Sequence, residues 1–292
     1  MYYYSLNEYL KNTFGEKVYK ISLNGGMTCP NRDGRIDTRG CIFCSRGGSG
    51  EFSASRTLGI TEQIEQAKEK IAQKTDCKKF IAYFQPFTNT YAPARYLEKI
   101  FTEAIAPSEI VALSVATRPD CLPDETVALL SRLNKIKPVW VELGLQTIHN
   151  STAEYIRRGY PLSVYDDAVN RLKTEGISVI THIIIGLPNE TEEMIVQTAK
   201  YAGERSNGVK LQLLHILKDT DLCDEYLKGN VRVLSLEEYA DILVKCLKVI
   251  PKTTVIHRLT GDGDKKILVA PMWSAYKKRV LNFINNKIRN SK

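Results

Sequence analysis

Residues 29–44 read CPNRDGRIDTRGCIFC and lie in the loop after the first predicted β-strand, Val18–Leu23. Eleven residues separate Cys29 from Cys41, and two separate Cys41 from Cys44. Thiolates bind zinc or iron–sulfur clusters, and a structural zinc ion normally takes four ligands. No other cysteine or histidine stands at finger-like spacing. Three grouped cysteines therefore favour a [4Fe–4S] cluster with one open iron, and zinc stays the alternative.

Outside this loop, apolar runs typical of strands alternate with segments of helical periodicity. The predicted strands are Val18–Leu23, Lys79–Phe84, Ile110–Ala116, Val139–Leu145, Val179–Ile185 and Val209–Ile216. The predicted helices between and after them are Thr61–Thr75, Ala94–Ala106, Asp124–Leu133, Ser163–Glu175, Glu192–Ser206 and Asp221–Lys228. Strands that are apolar throughout are typical of parallel sheets covered on both faces. Six β–α units predict a doubly wound sheet or an incomplete barrel.

The polar residues that follow the strands favour the barrel. Segments such as Gln85–Thr90 and Thr117–Asp120 stand at predicted strand ends, where barrel enzymes assemble their active sites. We therefore predict an α/β fold with a partial (β/α)6 TIM-like barrel over residues 1–234, whose cluster loop spans 24–50. Residues 235–292 are predicted to form a short C-terminal helical extension that ends in a basic helix.

The net charge of +8 comes from residues 251–292, the last part of this extension. The first 250 residues carry 31 basic and 31 acidic side chains, whereas residues 251–292 carry ten basic and two acidic ones. Such asymmetry favours a polyanionic partner such as nucleic acid, and a solvated basic helix without a partner is the alternative. The sequence shows no secretory signal and no apolar run long enough to span a bilayer. A cytoplasmic protein without membrane contact is expected.

The cysteine motif, with Phe43 before its third cysteine, resembles the radical S-adenosylmethionine superfamily. Its long first gap is similar to that of the elongator catalytic-subunit branch. Further motifs of that branch follow in barrel order and are similar to Thr117–Asp120, Gly144–Thr147, Arg158–Tyr160 and Ile183–Pro188. The resemblance covers roughly residues 15–220. It implies the radical-enzyme type of barrel.

The resemblance also implies the cofactors and their binding residues. A [4Fe–4S] cluster would be held by Cys29, Cys41 and Cys44, and S-adenosylmethionine would bind its open iron. The implied cofactor-binding residues are Phe43, Gln85, Thr88, Asn89, Arg118, Asp120, Gln146, Arg158 and Gly186. Longer relatives have a glutamate where this chain has Ala116, and Asp120 or Glu142 are the candidates to replace it. A one-electron donor such as flavodoxin or ferredoxin is implied, and no catalytic side chain is assigned.

Three segments, Cys29–Gly34, His257–Thr260 and Ala270–Trp273, resemble a short bacterial family of wobble-uridine enzymes, that of MnmL (YtqA). This resemblance implies a tRNA-modifying enzyme that converts 5-carboxymethylaminomethyl(-2-thio)uridine to 5-aminomethyl(-2-thio)uridine. The predicted tRNA contacts are Arg32, Arg35, Arg39, Lys277, Lys278, Lys287 and Arg289. Two alternatives stay open: a radical oxidoreductase that acts on a small molecule, similar to coproporphyrinogen dehydrogenase, and a non-catalytic zinc-dependent nucleic-acid-binding protein.

Overall fold

A curled parallel sheet forms the centre of the molecule. The computed structural model describes residues 3–48, 50, 53–261 and 263–291, so Ser49 of the predicted cluster loop and Asp262 and Lys292 of the basic tail lie outside the described residues. The described strands are β1 (Tyr4–Ser5), β2 (Val18–Leu23), β3 (Lys79–Phe84), β4 (Ile110–Thr117), β5 (Val139–Gln146), β6 (Ser178–Ile185), β7 (Gly208–Leu213), β8 (Ile216–Leu217), β9 (Val255–Arg258) and β10 (Leu268–Ala270). Eight of them pair in the order β1-β9-β7-β6-β5-β4-β3-β2, and β8 pairs with β10. The predicted partial barrel is confirmed.

Helices accompany the strands of this sheet, and most of them pack against its outer face. They are α1 (Leu6–Phe14), α2 (Ile60–Ala72), α3 (Ala94–Ile105), α4 (Asp124–Asn134), α5 (Asn150–Tyr155), α6 (Leu162–Thr174), α7 (Glu192–Arg205), α8 (Asp221–Leu227), α9 (Leu236–Val249) and α10 (Lys277–Asn290). The local sequence determines the start of α9, because Ser235 and Glu238 form a capping box there. No helix within the described ranges is long and apolar enough to cross a membrane.

Three predicted elements differ from the structure by three residues or more. The helix predicted over Thr61–Thr75 ends at Ala72. The strand predicted over Val209–Ile216 ends at Leu213, because Leu214 leaves the sheet and Ile216 pairs with β10 instead. The basic helix predicted from about Met272 starts with a short 3-10 turn, and α10 begins at Lys277. In the last two places apolar residues continue past the observed boundary, so the local sequence does not mark it.

The predicted C-terminal extension takes part in the main sheet. Strand β9 lies between β7 and β1 and runs parallel to both. Helices α7, α9 and α10 pack together in sequence, with Val280, Ile284 and Ile288 of α10 in the main hydrophobic core. The boundary between residues 234 and 235 stays a prediction. The segment after it contains a strand of the main sheet as well as helices.

The barrel interior is layered, because alternate residues of each strand face inward. At the N-terminal ends of the strands, Leu10 of α1 packs against an apolar base that contains Ile81, Trp140 and Ile180. One layer further along the strands lie six polar side chains, which we call the ionic layer: Lys20, Tyr83, Ser114, Glu142, His182 and Lys210. Beyond it, the strands end in the loops that form the site. Helix α1 thus closes one end of the barrel and leaves the other open.

Candidate active site

A cavity of about 440 Å³ lies at the open end of the barrel. Its wall contains the three loop cysteines, Cys29, Cys41 and Cys44, together with side chains from the ends of several strands. The open, C-terminal end of the strands is where barrel enzymes place their chemistry. The structure therefore brings the predicted cluster ligands and the strand-end motifs to one cavity.

The long gap between the first two cysteines folds into a closed loop. Asn31 is buried, and its Nδ2 donates to the carbonyl of Arg157 at 2.7 Å, which ties the loop to the segment after α5. The Arg32 guanidinium donates to the carbonyls of Cys44 and Ser45 at 2.8 and 2.6 Å. The Arg32 bonds bring the start of the motif to its end, although eleven residues separate Arg32 from Cys44. Arg32, which was predicted to contact tRNA, is used within the loop.

The thiols suit metal ligation. Burial, with the neighbouring Cys44 thiol as the second cause, raises the pKa of Cys41 to about 11. A metal cation supplies the positive charge that converts such a thiol to a thiolate. The Asn31 amide lies 3.4 Å from the Cys41 sulfur and is placed to donate to it. The thiols surround a cavity rather than a point: among the described residues, no three Cys, His, Asp or Glu side chains lie close enough to ligate a single ion.

Next to the cysteines, three buried polar atoms have no hydrogen-bond partner among the described residues. They are Thr88 Oγ1, Gln146 Oε1 and Arg158 Nη2, and all three side chains line the cavity. We call these residues and the three cysteines the rim. Buried polar atoms are nearly always paired in folded proteins, so the rim is built for a polar ligand. The carboxylate, amine and ribose hydroxyls of S-adenosylmethionine fit such a donor and acceptor set.

Neighbouring backbone holds these rim side chains in place. Arg158 donates through Nη1 to the carbonyls of Leu145 and Thr147, at 3.1 and 2.6 Å, and through Nε to Tyr160. Gln146 has a φ of 68°, the left-handed region that non-glycine residues rarely adopt. Backbone strain of this kind clusters at functional sites.

The other predicted cofactor residues divide into two groups. Phe43, Gln85 and Arg118 line the cavity, and Ser22 donates to Gln85 at 2.7 Å. Three others are not part of its wall: Asn89, Asp120 and Gly186. The Asn89 amide donates to the carbonyls of Phe84 and Ala116, so its contacts hold the strand ends.

The remaining two residues outside the wall have their own contacts. Asp120 forms a bidentate ion pair with Arg118, with distances of 2.9 and 2.8 Å. Gly186 belongs to a separate depression near Leu234, where a Cβ would meet the leucine side chain at 3.1 Å. A direct contact between Gly186 and a ligand in the main cavity is therefore not supported. Its φ of 94° explains why glycine is needed there.

The floor of the cavity is the ionic layer, which sequence reasoning largely missed. Glu142 is 1% exposed and accepts hydrogen bonds from Lys20 at 2.5 Å, Ser114 at 2.7 Å and His182 at 2.7 Å, and from Lys210. Burial opposes its ionisation, but the two lysines hold the pKa of Glu142 well below its usual value. Glu142 pairs in register with Ala116, which places a carboxylate beside the position where longer relatives have theirs.

The titratable partners of Glu142 are shifted as well. Burial and the nearby Lys210 charge lower the pKa of His182 to about 4, so this ring is neutral at pH 7 and donates through Nε2. Burial lowers the pKa of Lys210 to about 7. The available sequence signal was a charged residue at an inward position of an apolar strand, as in Val209-Lys210-Leu211. His182 lies within an apolar strand, and its hydrogen bond to Glu142 makes it part of this layer.

The predicted tRNA-contacting residues are spread over two surfaces. Arg35 and Arg39 lie on the exposed part of the cluster loop, where Arg39 pairs with Asp37 at 2.8 Å. Lys277 and Lys278 are exposed at the start of α10. Two further predicted contacts, Lys287 and Arg289, lie about 15 Å further along that helix, and Lys287 pairs with Asp241 at 2.9 Å.

A partial barrel with three loop thiols at its open end and unpaired polar atoms beside them defines an enzyme that uses a cluster and a bound nucleotide-like cofactor. Residues 34–202 match the Radical SAM superfamily, and residues 206–290 match the Radical_SAM C-terminal domain. The chain belongs to the Radical SAM superfamily and is a radical enzyme that uses a [4Fe–4S] cluster and S-adenosylmethionine.

Three similar proteins place the chain within that superfamily. The uncharacterized protein YtqA of Bacillus subtilis is 44% identical over 289 residues, which are 99% of this chain and 90% of YtqA. The tRNA uridine(34) acetyltransferase of Methanocaldococcus jannaschii is 27% identical over 168 residues, which are 56% of this chain and 30% of that protein. The solved structure of Methanocaldococcus infernus Elp3, with its N-terminus deleted, has a TM-score of 0.66 at 18% identity and covers 92% of this chain and 63% of that one. Membership of the predicted superfamily is confirmed, and these similarities agree with the predicted resemblance to the elongator catalytic-subunit branch.

Proposed function

We propose that this radical enzyme modifies tRNA and converts 5-carboxymethylaminomethyl(-2-thio)uridine at the wobble position to 5-aminomethyl(-2-thio)uridine. The observation that carries the proposal is the continuity between the cavity and a basic groove. Gly263 and Asp264 line both. A relative that matches over half of this chain is named for its action on uridine 34 of tRNA, which is the wobble position.

The groove has the composition of a single-stranded RNA site. It has a volume of about 940 Å³ and lies between the loop at 263–266 and the start of α10. Its basic side chains are Lys265, Lys266, Lys277, Lys278 and Arg279. Tyr276 is 63% exposed within it, and Lys265 lies over its ring at 5.7 Å. Basic side chains neutralise phosphates, and an exposed aromatic ring offers a stacking surface to an unpaired base.

This groove changes the set of basic residues that we expect to contact tRNA. Lys277 and Lys278 lie in it, and Lys265, Lys266 and Arg279 join them. Lys287 and Arg289 lie outside it, at the far end of α10. An RNA strand in the groove passes the mouth of the cavity, so that a flipped-out uridine reaches the barrel while its neighbours stay on the groove.

The proposed chemistry follows from the substrate's side chain. A carbon radical at the methylene between the nitrogen and the carboxylate is stabilised by both neighbouring groups, so hydrogen abstraction is favoured there. When bound, the cluster and S-adenosylmethionine supply the hydrogen-abstracting radical. Overall, the carbon–nitrogen bond is oxidised to an imine and loses two electrons and two protons. S-adenosylmethionine takes up the two electrons and one of the protons and ends as methionine and 5′-deoxyadenosine, and the second proton is released. Water then hydrolyses the imine to the 5-aminomethyl nucleoside and glyoxylate. The apolar base beneath the ionic layer, sealed by Leu10 of α1, keeps bulk water away from the inner end of the cavity.

A reconstitution experiment tests the proposal. The purified chain, loaded with its cluster under anaerobic conditions, is incubated with S-adenosylmethionine, reduced flavodoxin and tRNA that carries the carboxymethylaminomethyl nucleoside. We expect this nucleoside to disappear while the 5-aminomethyl form, glyoxylate and 5′-deoxyadenosine appear in equal amounts. The Cys44→Ser variant is the control. Unchanged tRNA nucleosides would contradict the proposal, and consumption of coproporphyrinogen instead would support the small-molecule alternative.

A further inference from the structure

The inner end of the cavity carries a cation that the proposed chemistry has not used. Lys210 is the third residue of β7, is 5% exposed and nevertheless lines the cavity. Its ammonium donates to the Tyr83 hydroxyl at 3.1 Å and to Glu142. An ammonium group has three donors, and the described residues supply acceptors for two of them. The third is available to a ligand.

The charges around Lys210 favour an anion. Two lysines share the single carboxylate of Glu142, and Lys20 takes its other oxygen. Arg258 of β9 pairs in register with Lys210, lines the same cavity and adds its charge to the field at both lysines. His182 is neutral at pH 7, so the two lysines face the single carboxylate of Glu142. Burial lowers the pKa of Lys210 to about 7, and a bound anion would stabilise the charged form of this lysine.

This position is separate from the rim, which fits S-adenosylmethionine. Lys210 lies three residues before the end of β7, a distance of about 10 Å along a strand. Two arginines are further buried cations of the wall: Arg118 is neutralised by its bidentate pair with Asp120, and Arg158 belongs to the rim. Away from the rim, Lys210 is therefore the inward-facing cation whose only carboxylate partner among the described residues is shared with a second lysine.

We propose that Lys210, with Arg258 beside it, binds a carboxylate at the inner end of the cavity, and that this carboxylate is the one at the tip of the substrate side chain. The inference rests on the proposed function for the identity of the substrate. A carboxylate held at the ionic layer leaves the adjoining methylene on the side of the rim, where hydrogen abstraction takes place. It also explains specificity for the carboxymethylaminomethyl side chain, because a side chain without the carboxylate leaves Lys210 without an anionic partner from the substrate.

The test compares two ligands and three proteins by binding and by turnover. The ligands are anticodon stem-loop RNAs whose modified uridine ends in the carboxylate or in the neutral carboxamide. The proteins are the wild type, Lys210→Met and Lys20→Met. Lys20 contacts the same Glu142 but is not part of the cavity wall, so it controls for disturbance of the ionic layer.

We expect the wild type to bind the carboxylate form about 10- to 100-fold more tightly than the carboxamide, since one hydrogen bond to a charged group gives a preference of this size. Lys210→Met should lose that preference, and Lys20→Met should keep it. Equal discrimination by Lys210→Met and the wild type would overturn the inference. If Lys210→Met does not fold, Arg258→Gln provides the same comparison, and a preference reduced by less than twofold in that variant would also overturn it.

Affinity for S-adenosylmethionine separates the two sources of a carboxylate. We expect it to be equal in the wild type and Lys210→Met. A tenfold loss, with the RNA preference intact, would assign the cation to the cofactor and contradict the inference. A wild type that binds both RNAs equally and converts neither would instead contradict the proposed function.

Discussion

The rim and the ionic layer are both polar and buried, but they differ in how their polar atoms are satisfied. At the rim, Thr88, Gln146 and Arg158 each keep an atom without a partner in the described structure. One layer deeper, Glu142 accepts from four side chains. An unpaired buried polar atom costs stability, whereas a carboxylate that accepts several hydrogen bonds fixes the side chains around it. The rim thus leaves several polar atoms open to a ligand, and the ionic layer fixes its side chains around Glu142 with Lys210 at the cavity wall.

The largest effect is expected where the rim holds the cluster. Cys44→Ser removes one of three thiolate ligands, so we expect loss of the bound iron and of all S-adenosylmethionine cleavage. Iron and sulfide assays with the visible absorption spectrum measure the first, and 5′-deoxyadenosine formation measures the second. Cys77→Ser is the matched control, because Cys77 lies outside the cavity and contacts the carbonyls of Lys17 and Lys79. Full iron content in Cys44→Ser would contradict the assignment of Cys44 as a ligand of the cluster.

Substitutions in the ionic layer should lower the free energy of unfolding. Glu142→Gln leaves Lys20 and Lys210 without their shared counterion, and we expect the free energy of unfolding to fall by about 3–5 kcal/mol. Denaturant unfolding of the cluster-free protein measures it. Ser114→Ala, which removes one hydrogen bond to the same carboxylate, should cost only about 1 kcal/mol. If the two variants lose equal stability, the layer is not held by its charges.

Two adjacent residues give the sharpest version of the comparison. Thr88→Val removes a hydroxyl that has no partner in the described structure, so stability should be retained while affinity for S-adenosylmethionine falls about tenfold. Asn89→Leu breaks two hydrogen bonds to backbone and should lower the free energy of unfolding by about 1–3 kcal/mol. Titration with the cofactor and denaturant unfolding separate the two outcomes. A destabilised Thr88→Val protein with unchanged affinity would contradict the assignment of the rim.

The smallest effect is expected on the RNA surface. Lys278→Ala in the groove should weaken tRNA binding by a few-fold and reduce the slope of log affinity against log salt by about 0.7–0.9, as loss of one phosphate contact does. Lys287→Ala, whose side chain is paired with Asp241 outside the groove, serves as the control and should change neither. Affinity measured over a range of salt concentrations checks this. Equal slopes for both variants would place the RNA elsewhere.

The sequence predicted the rim better than the ionic layer for a physical reason. The bounds of β2 and β3 and the cysteine spacing are local patterns, so both could be predicted. The contacts of Lys20, Glu142 and Lys210 join strands that are far apart in the chain, and nothing local indicates that three charged residues face one another. Unpaired atoms such as Thr88 Oγ1 are equally invisible, because a missing partner is a property of the folded cavity.

Short elements with distant partners were missed for the same reason. The two-residue strand β1 exists because Tyr4 and Ser5 pair with Val255 and Ile256. Helix α1 is different, because Leu6, Tyr9, Leu10 and Phe14 do stand at helical spacing and this local signal was overlooked. The split between Asn89, which supports the strand ends, and Thr88, which faces the cavity, also depends on side-chain direction in a loop. The sequence motif predicted that both residues lie near the cofactor, but it could not show that Thr88 faces the cavity and Asn89 does not.

The position of β9 between β7 and β1 has a consequence for how the molecule is made. A chain emerging from the ribosome exposes all three cysteines early, but it cannot complete the sheet until residues 255–258 have been synthesised. The same strand brings Arg258 to the cavity wall. Nascent chains therefore carry cluster ligands before they have an enclosed cavity, and we expect the order of events in the cell to be translation, closure of the sheet, and only then productive loading of the cluster.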